Sequence, residues 1–370
     1  MRVLQLGKFY PVQGGVEKTM FDLLTGLAES GISCDMLCAH NGAGSLEFSV
    51  AENNRVICCK TALRLYATML SPQMVTSLRR IADSYDIIHV HHPDPMAALA
   101  LWLSGYQGRV VLHWHSDIVK QKKLLWLYSP LQQWLLRRAD LIVGTSPVYI
   151  AMSPLLRPFH SKCNSLPSCV SAIHPDKSAV EVLRRRYSGK RIVFALGRLV
   201  HYKGYRYLVD AAKYLDDSYV VLIAGDGELR GELQRQIAQE GLTGKVQLLG
   251  HVPDAEKSAY YGACDVFCLS SIMKTEAFAL VQAEAMSCGK PVVSCNIPGS
   301  GVPWVNADGV SGLVVEPKDS RALADAIRRI TTDNALYEQL SRGGKARYQQ
   351  LFTKEKMISR CLELYRELLK

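Results

Sequence analysis

Residues 270–291 read SSIMKTEAFALVQAEAMSCGKP, with Glu276 and Glu284 eight positions apart. The run just before them, Val266-Phe267-Cys268-Leu269, is apolar throughout and predicts a buried strand. A polar turn follows, and helix formers then fill the positions from Ala279 to Met286, so a helix is expected to begin near Phe278. Gly289 and Pro291 close it, since glycine suits the position past a helix end and proline cannot continue the helix. Glu276 then falls in the loop before the helix and Glu284 about one and a half turns inside it. This arrangement sets a carboxylate beside unpaired amide N–H groups, which attract anions. Such a pocket suits a ligand that is part polyol and part phosphate, as a nucleotide sugar is. Two acids at this spacing also occur on the solvated face of any amphipathic helix, so the rest of the chain must decide.

With 370 residues, 48% hydrophobic and 21% charged, the chain has a soluble globular composition and length for roughly two to three domains. Its start, Met1-Arg2-Val3-Leu4-Gln5-Leu6-Gly7, reads as one short strand meeting Lys8 and not as a signal peptide. The apolar run nearest to a membrane span, residues 97–103, is far too short to cross a bilayer. Eleven cysteines without a Cys-x-x-Cys pair point to reduced thiols and a cytoplasmic setting. Cys264 and Cys268 lack a His or Asp cluster that would complete a metal site, and they read as core. The formal charge is +10, most of it in the first half. A basic half suits nucleic acid, an anionic membrane surface or a phosphorylated substrate, and without a nucleic-acid motif the first of these ranks last.

Strand-like and helix-like segments alternate along the chain, which predicts an α/β fold with parallel sheets covered by helices. Residues 3–6 form the first strand and lead through Gly14-Gly15 into a helix over residues 16–29. A glycine pair there lets backbone approach a ligand and leaves helix N–H groups for a phosphate, although a plain tight turn explains it equally well. It is neither a Walker loop nor a full Gly-x-Gly-x-x-Gly, so ATP and NAD are poor fits. His91 and His92 end one strand, and His113-Trp114-His115 end the next, where ligands of open α/β sheets gather. Alternation puts His113 and His115 on one face. In the second half, residues 191–196 form a strand ending in Gly197-Arg198, with Lys203-Gly204 beyond. Two cations five residues apart at a strand end can neutralise a diphosphate, or can be a solvated loop pair.

Taken together and in this order, Gly14-Gly15, His115, Arg198 with Lys203, and Glu276 to Glu284 resemble the motifs of the retaining glycosyltransferases of family 4. The match covers nearly the whole chain and is closer in the second half. The resemblance implies a GT-B fold, two Rossmann-like domains whose parallel sheets face a central cleft. The first would span residues 1–165, with residues 352–370 packing back on it, and the second residues 175–351. It further implies that Gly14 and Gly15 face the donor's phosphates and sugar and that His115 touches the donor sugar, while His91, at the neighbouring strand end, reads as functional from its place alone. Arg198 and Lys203 would hold the diphosphate with the N–H groups around Phe278, Ala279 and Leu280. Gly250, His251 and Val252 would carry the base. Glu276 would bind sugar hydroxyls and stabilise an oxocarbenium-like centre, and Glu284 would bind the ribose. His89, His92 and His113 read as structural. No cofactor and no metal are expected, consistent with the lack of an Asp-x-Asp motif.

Two departures from the family pattern stand out. Its Glu-Gly-Phe-Gly-Leu is Glu276-Ala277-Phe278-Ala279-Leu280 here, which narrows the space beside sugar and phosphate, and its Pro-x-Gly-Val turn is Pro167-Ser168-Cys169-Val170. Residues 154–175, with four prolines, read as the linker between domains. Residues 120–138 interleave Lys120, Lys122, Lys123, Arg137 and Arg138 with Trp126, Tyr128 and Trp134. That pattern fits an anionic membrane interface, or else a helix with buried tryptophans and solvated lysines. The first reading makes the chain a hexosyltransferase using GDP-mannose or a UDP-hexose, acting on a lipid-linked oligosaccharide or other glycan at the inner face of the cytoplasmic membrane. A soluble small-molecule acceptor and a non-catalytic nucleotide-sugar module are the alternatives.

Overall fold

The computed structural model describes residues 1–12, 14–42, 44–65, 68–118 and 122–370, with the backbone alone for 122–124. Lys120 lies outside the described residues, as do the side chains of Lys122 and Lys123. The chain divides into two compact units, one comprising Met1–Cys169 with Lys354–Lys370 and the other Val170–Thr353.

In the first unit the strands are β1 (Arg2–Tyr10), β2 (Ser33–His40), β3 (Leu46–Phe48), β4 (Val56–Lys60), β5 (Leu63–Leu65), β6 (Thr68–Leu70), β7 (Ile87–His92), β8 (Arg109–Trp114), β9 (Leu141–Gly144) and β10 (Cys163–Ser165). Eight of them make one sheet in the order β10-β9-β8-β7-β1-β2-β4-β3, and β5 and β6 pair as a separate hairpin. All neighbours in the large sheet are parallel except β3 on β4. Its central strands are buried along their length, as parallel strands covered on both faces must be. On one side Met20, Leu23, Leu24 and Leu27 of the helix Gly15–Glu29 join Met357, Ile358, Cys361, Leu364 and Tyr365 of the helix Lys354–Leu368.

The second unit holds β11 (Arg191–Leu196), β12 (Tyr219–Ala224), β13 (Val246–Gly250), β14 (Val266–Leu269), β15 (Val292–Cys295) and β16 (Gly312–Val315). Their order, β13-β12-β11-β14-β15-β16, is that of a doubly wound Rossmann sheet, and every pair is parallel. The order reverses between β11 and β14, so the loops leaving their carboxyl ends diverge and open a crevice there. In the first sheet the reversal falls between β1 and β7.

Three sequence expectations change. The 154–175 stretch is not simply linker: it holds a 3-10 segment, Arg157–Lys162, and the edge strand β10. A helix over Asn334–Leu351 precedes the last one, which starts at Lys354 instead of at Phe352. Phe352 is fully buried in the core of the second unit, edge-on to Phe278 and Trp304 at 5.7 and 5.8 Å. In the helix Lys122–Arg138, Tyr128 is buried but Trp126 stands 79% exposed, so the reading that places its tryptophans in the core fails for Trp126. Among the described residues no helix is long and apolar enough to cross a membrane. All eleven cysteines are free, with Cys264 and Cys268 buried in the core.

Candidate active site

The crevice of the second unit is built by the two loops that leave β11 and β14. The first carries Gly197 to Gly204 and turns through the 3-10 segment His201–Lys203. Gly204 adopts φ +65°, and a Cβ there would stand 2.2 Å from the Ser270 carbonyl oxygen, so only glycine lets the two loops approach this closely. That approach brings Lys203 Nζ to 2.6 Å from Glu276 Oε2, with both residues only 8% exposed. Ser271 Oγ donates to the same carboxylate oxygen at 2.8 Å, and Ser300 Oγ donates to the Glu276 carbonyl. Oε1 is left without a hydrogen-bond partner among the described residues. Contact between the ammonium and the carboxylate offsets the cost of burying each, and the ammonium retains further N–H donors. Arg198, at the mouth of the same loop, is exposed, and its guanidinium lies 3.4 Å from the Tyr202 hydroxyl.

After Glu276 the chain enters the helix Leu280–Ser287 through Ala279, which has φ +62° and ψ 78°. A non-glycine residue in this left-handed region carries strain. It sits where the family motif has its second glycine, so the backbone keeps a glycine-like turn without a glycine. Phe278 turns its ring toward Trp304 and Phe352, and what it offers a ligand is its amide. The helix ends on a Schellman pair, Lys290 N–H to Ala285 and Gly289 N–H to Met286, with Gly289 at φ +68°. Glu284 points to the helix Asp254–Ala263: Tyr261 donates to its Oε2 at 2.7 Å, and Lys257 Nζ lies 3.7 Å from its Oε1. Gly250 ends β13 with φ +77° and accepts from the Gly225 N–H, His251 is exposed, and Val252 is buried in the core. The structure therefore joins Lys203 to Glu276 directly and places 278–280 and Glu284 on the next turns. Arg198 and 250–252 lie at the ends of β11 and β13.

The first unit holds a second constellation. Register pairs His91 with His113, so His89, His91, His113 and His115 project from β7 and from the end of β8 as a stack, the His113 and His115 rings 3.9 Å apart. His91 Nε2 lies 2.7 Å from Gln5 Oε1, and His91 Nδ1 lies 2.9 Å from His115 Nε2. The amide oxygen only accepts, so His91 donates from Nε2 and its bare Nδ1 accepts from His115 Nε2–H. His115 is left with its lone pair on Nδ1. Burial, with the neighbouring rings and Lys8, holds His91 and His115 well below the usual histidine range, and burial lowers His92 and His113 to about 3. All are neutral near pH 7. One nitrogen each of His89, His91 and His113 lie within 4.8 Å of one another, a grouping the sequence reading did not foresee. Most of these nitrogens already bond each other, Gln5 or Tyr365.

Gly14 caps the helix Gly15–Glu29 in an extended conformation, and a Cβ on it would meet Glu17 Oε2 at 2.7 Å. Glu17 thus folds back beside Gly14 at the start of this helix.

Two family models match the chain, Glycosyltransferase Family 4 over residues 13–152 and Glycosyl transferases group 1 over residues 182–347. The chain is 32% identical to O-antigen chain mannosyltransferase C of Escherichia coli, over 100% of its own length and 99% of the relative's. It belongs to glycosyltransferase family 4. This family 4 enzyme is also 33% identical to the D-rhamnosyltransferase WbpZ of Pseudomonas aeruginosa, over 95% of this chain and 92% of that one. Among solved structures, Anabaena HepE in complex with UDP superposes with a TM-score of 0.79 at 21% identity, covering 99% of this chain and 100% of that one. Sucrose-phosphate synthase from Thermosynechococcus elongatus gives 0.79 at 22%, covering 100% and 99%. The fold of this family 4 glycosyltransferase is thus GT-B, as the sequence resemblance implied.

What the sequence did not reveal is the support around the two acids: Ser271 and Ser300 at Glu276, Tyr261 and Lys257 at Glu284. Ser270-Ser271, directly after a buried strand, was the one available hint.

Proposed function

We propose that this enzyme transfers a hexosyl group, with retention, from a nucleoside-diphosphate sugar to a hydroxyl of a lipid-linked or polysaccharide glycan. The Lys203–Glu276 contact at the Rossmann switch point carries the reading, because it sets a fixed cation beside a fixed carboxylate next to a helix N-terminus. Arg198, Lys203 and the amides of 278–280 bind the diphosphate and stabilise the charge on it as the sugar leaves. The bond from C1 to the β-phosphate oxygen breaks, and the acceptor oxygen bonds C1 on the same face. The acceptor proton passes to the departing phosphate oxygen, so no side-chain nucleophile is needed. Glu276 Oε1 accepts from sugar hydroxyls and its charge supports the oxocarbenium-like centre, while Glu284 takes the ribose and 250–252 the base. His115 Nδ1, bare and neutral, accepts from a sugar hydroxyl, and Gly14-Gly15 faces the donor's phosphates and sugar. No cofactor beyond the donor is required, since cationic side chains supply the charge stabilisation.

The relatives named for mannosyl and rhamnosyl transfer put GDP-mannose first among donors to try, with UDP-hexoses next. A lipid-linked acceptor places the enzyme at the inner face of the cytoplasmic membrane. The test is nucleoside diphosphate release across a donor panel with a lipid-diphosphate sugar acceptor, and NMR of the product's anomeric proton. One donor should be used, with configuration kept, and Glu276→Gln should lower kcat at least ~100-fold, the scale of losing one transition-state charge contact. An inverted product, or a fully active Glu276→Gln, would refute the assignment.

A further inference from the structure

A pocket of about 430 Å³ opens in the first unit between the helices Pro95–Ser104 and Lys122–Arg138 and the β5–β6 hairpin. That volume lies in the range of small-molecule sites, roughly 300–1,000 Å³. Leu70, Met96, Leu99, Ile118, Leu125 and Leu131 wall it. A glycan or nucleotide buried there would lose its hydrogen bonds to water without replacement, whereas a hydrocarbon chain would lose nothing. Among the described residues three polar side chains break the apolar wall, those of Lys8, Thr68 and Tyr128. Among the described residues Lys8 is the one charged residue in the lining, its Nζ donating to the Pro93 carbonyl with N–H groups to spare. Tyr128 also lines the pocket, is 8% exposed, and its buried hydroxyl has no hydrogen-bond partner among the described residues. An orphaned buried hydroxyl is costly and marks a place where a ligand oxygen is wanted. At the rim, on the same helix as Tyr128, Trp126 and Leu127 stand 79% and 71% exposed. Exposed tryptophan beside leucine is the composition of a surface that meets lipid.

We propose that this pocket binds the first segment of the acceptor's hydrocarbon chain, with Lys8 and the Tyr128 hydroxyl meeting the phosphate to which the chain is attached. The inference rests on the lipid-linked acceptor proposed above and deepens it. The apolar wall selects the chain, the Lys8 cation selects an anionic head, and the exposed Trp126 and Leu127 give the chain a path from the bilayer.

The probe is farnesyl phosphate below its micelle concentration, titrated calorimetrically into the full chain. It should bind one per chain, with inorganic phosphate at least ~100-fold weaker, because phosphate alone forgoes the apolar contact. Leu99→Trp and Leu131→Trp each fill half-buried wall positions and should each weaken farnesyl phosphate about tenfold or more. Affinity for the donor's nucleoside diphosphate should stay unchanged, which also shows that the variants fold. Lys8→Met should weaken farnesyl phosphate but not farnesol. In turnover, the unchanged enzyme should prefer a prenyl-diphosphate sugar to the same sugar on a methyl group, through KM, and the filled variants should lose that preference. Absence of farnesyl phosphate binding, or binding indifferent to both filled variants, would overturn the proposal even if transfer is observed. Turnover of the methyl glycoside with no chain preference would keep the transferase and remove the lipid site. Self-association abolished by Leu99→Trp, without farnesyl phosphate binding, would assign the pocket to a second copy of the chain and overturn the proposal too.

Discussion

Acidification should destabilise the first unit through its buried histidines, and His113 allows the size to be worked out. Its ring is fully buried, its Nε2 has no partner among the described residues, and burial lowers its pKa from 6.5 to about 3. In the unfolded chain the same imidazole takes up a proton near 6.5. Above that value neither state is protonated and the group has no effect on stability. Below it the unfolded state binds a proton that the folded state refuses, so stability falls as pH falls. Between about pH 6.5 and pH 5 the gap spans roughly 1.5 units, or about 2 kcal/mol for this one residue. The assay is urea unfolding followed by tryptophan fluorescence, which reports mainly on the first unit because Trp102, Trp114, Trp126 and Trp134 lie there and only Trp304 in the second. Measured at about pH 7 and about pH 5 for the unchanged protein and for His113→Gln, the acid-induced loss should be smaller in the variant by about 2 kcal/mol. Taking the difference between the two proteins removes carboxylates that titrate in both. Equal losses would refute the claim that His113 is held neutral by burial.

Two further outcomes concern the second unit. Lys203→Met should cost about 3–5 kcal/mol by stranding the Glu276 carboxylate, and Glu276→Gln added to it should recover at least ~1 kcal/mol. Additive losses in thermal unfolding of the single and double variants would mean the pair does not interact. Ala279→Gly should stabilise by about 1 kcal/mol, since an L-residue in the left-handed region costs roughly 1–2 kcal/mol and glycine returns part of that in chain entropy. A loss of about 1 kcal/mol in calorimetry, as for alanine to glycine inside an ordinary helix, would show that Ala279 is not left-handed.

Much of this was legible because the relevant signals are local. Apolar runs such as Ile192–Leu196 and Val266–Leu269 read as buried strands, and the joint role of Lys203 and Glu276 came from the resemblance of the loops after them to the family 4 motifs. Other features were illegible because they depend on contacts distant in sequence. Nothing near His91 in the chain announces Gln5, 86 residues away, as its partner, yet that contact sets which nitrogen of His115 stays bare. Tyr261 holds Glu284 from another helix for the same reason. The Glu17 carboxylate that folds back beside Gly14 was not foreseen either, since the sequence does not tell where a side chain in a helix's first turn points. Trp126 misled because its tryptophan suggested core, while the packing spends that helix's buried positions on Tyr128, Leu135 and Leu136.

The first unit is discontinuous, and this has a consequence for biosynthesis. Its sheet is laid down early, but the helix Lys354–Leu368, whose Met357, Ile358 and Tyr365 roof that sheet, leaves the ribosome only after the whole second unit. The second unit, encoded without interruption between the two pieces, can close first, and the nascent chain must shelter an unroofed hydrophobic sheet until that helix has emerged. A stop codon shortly before residue 354 would thus do its damage at the opposite end of the gene product.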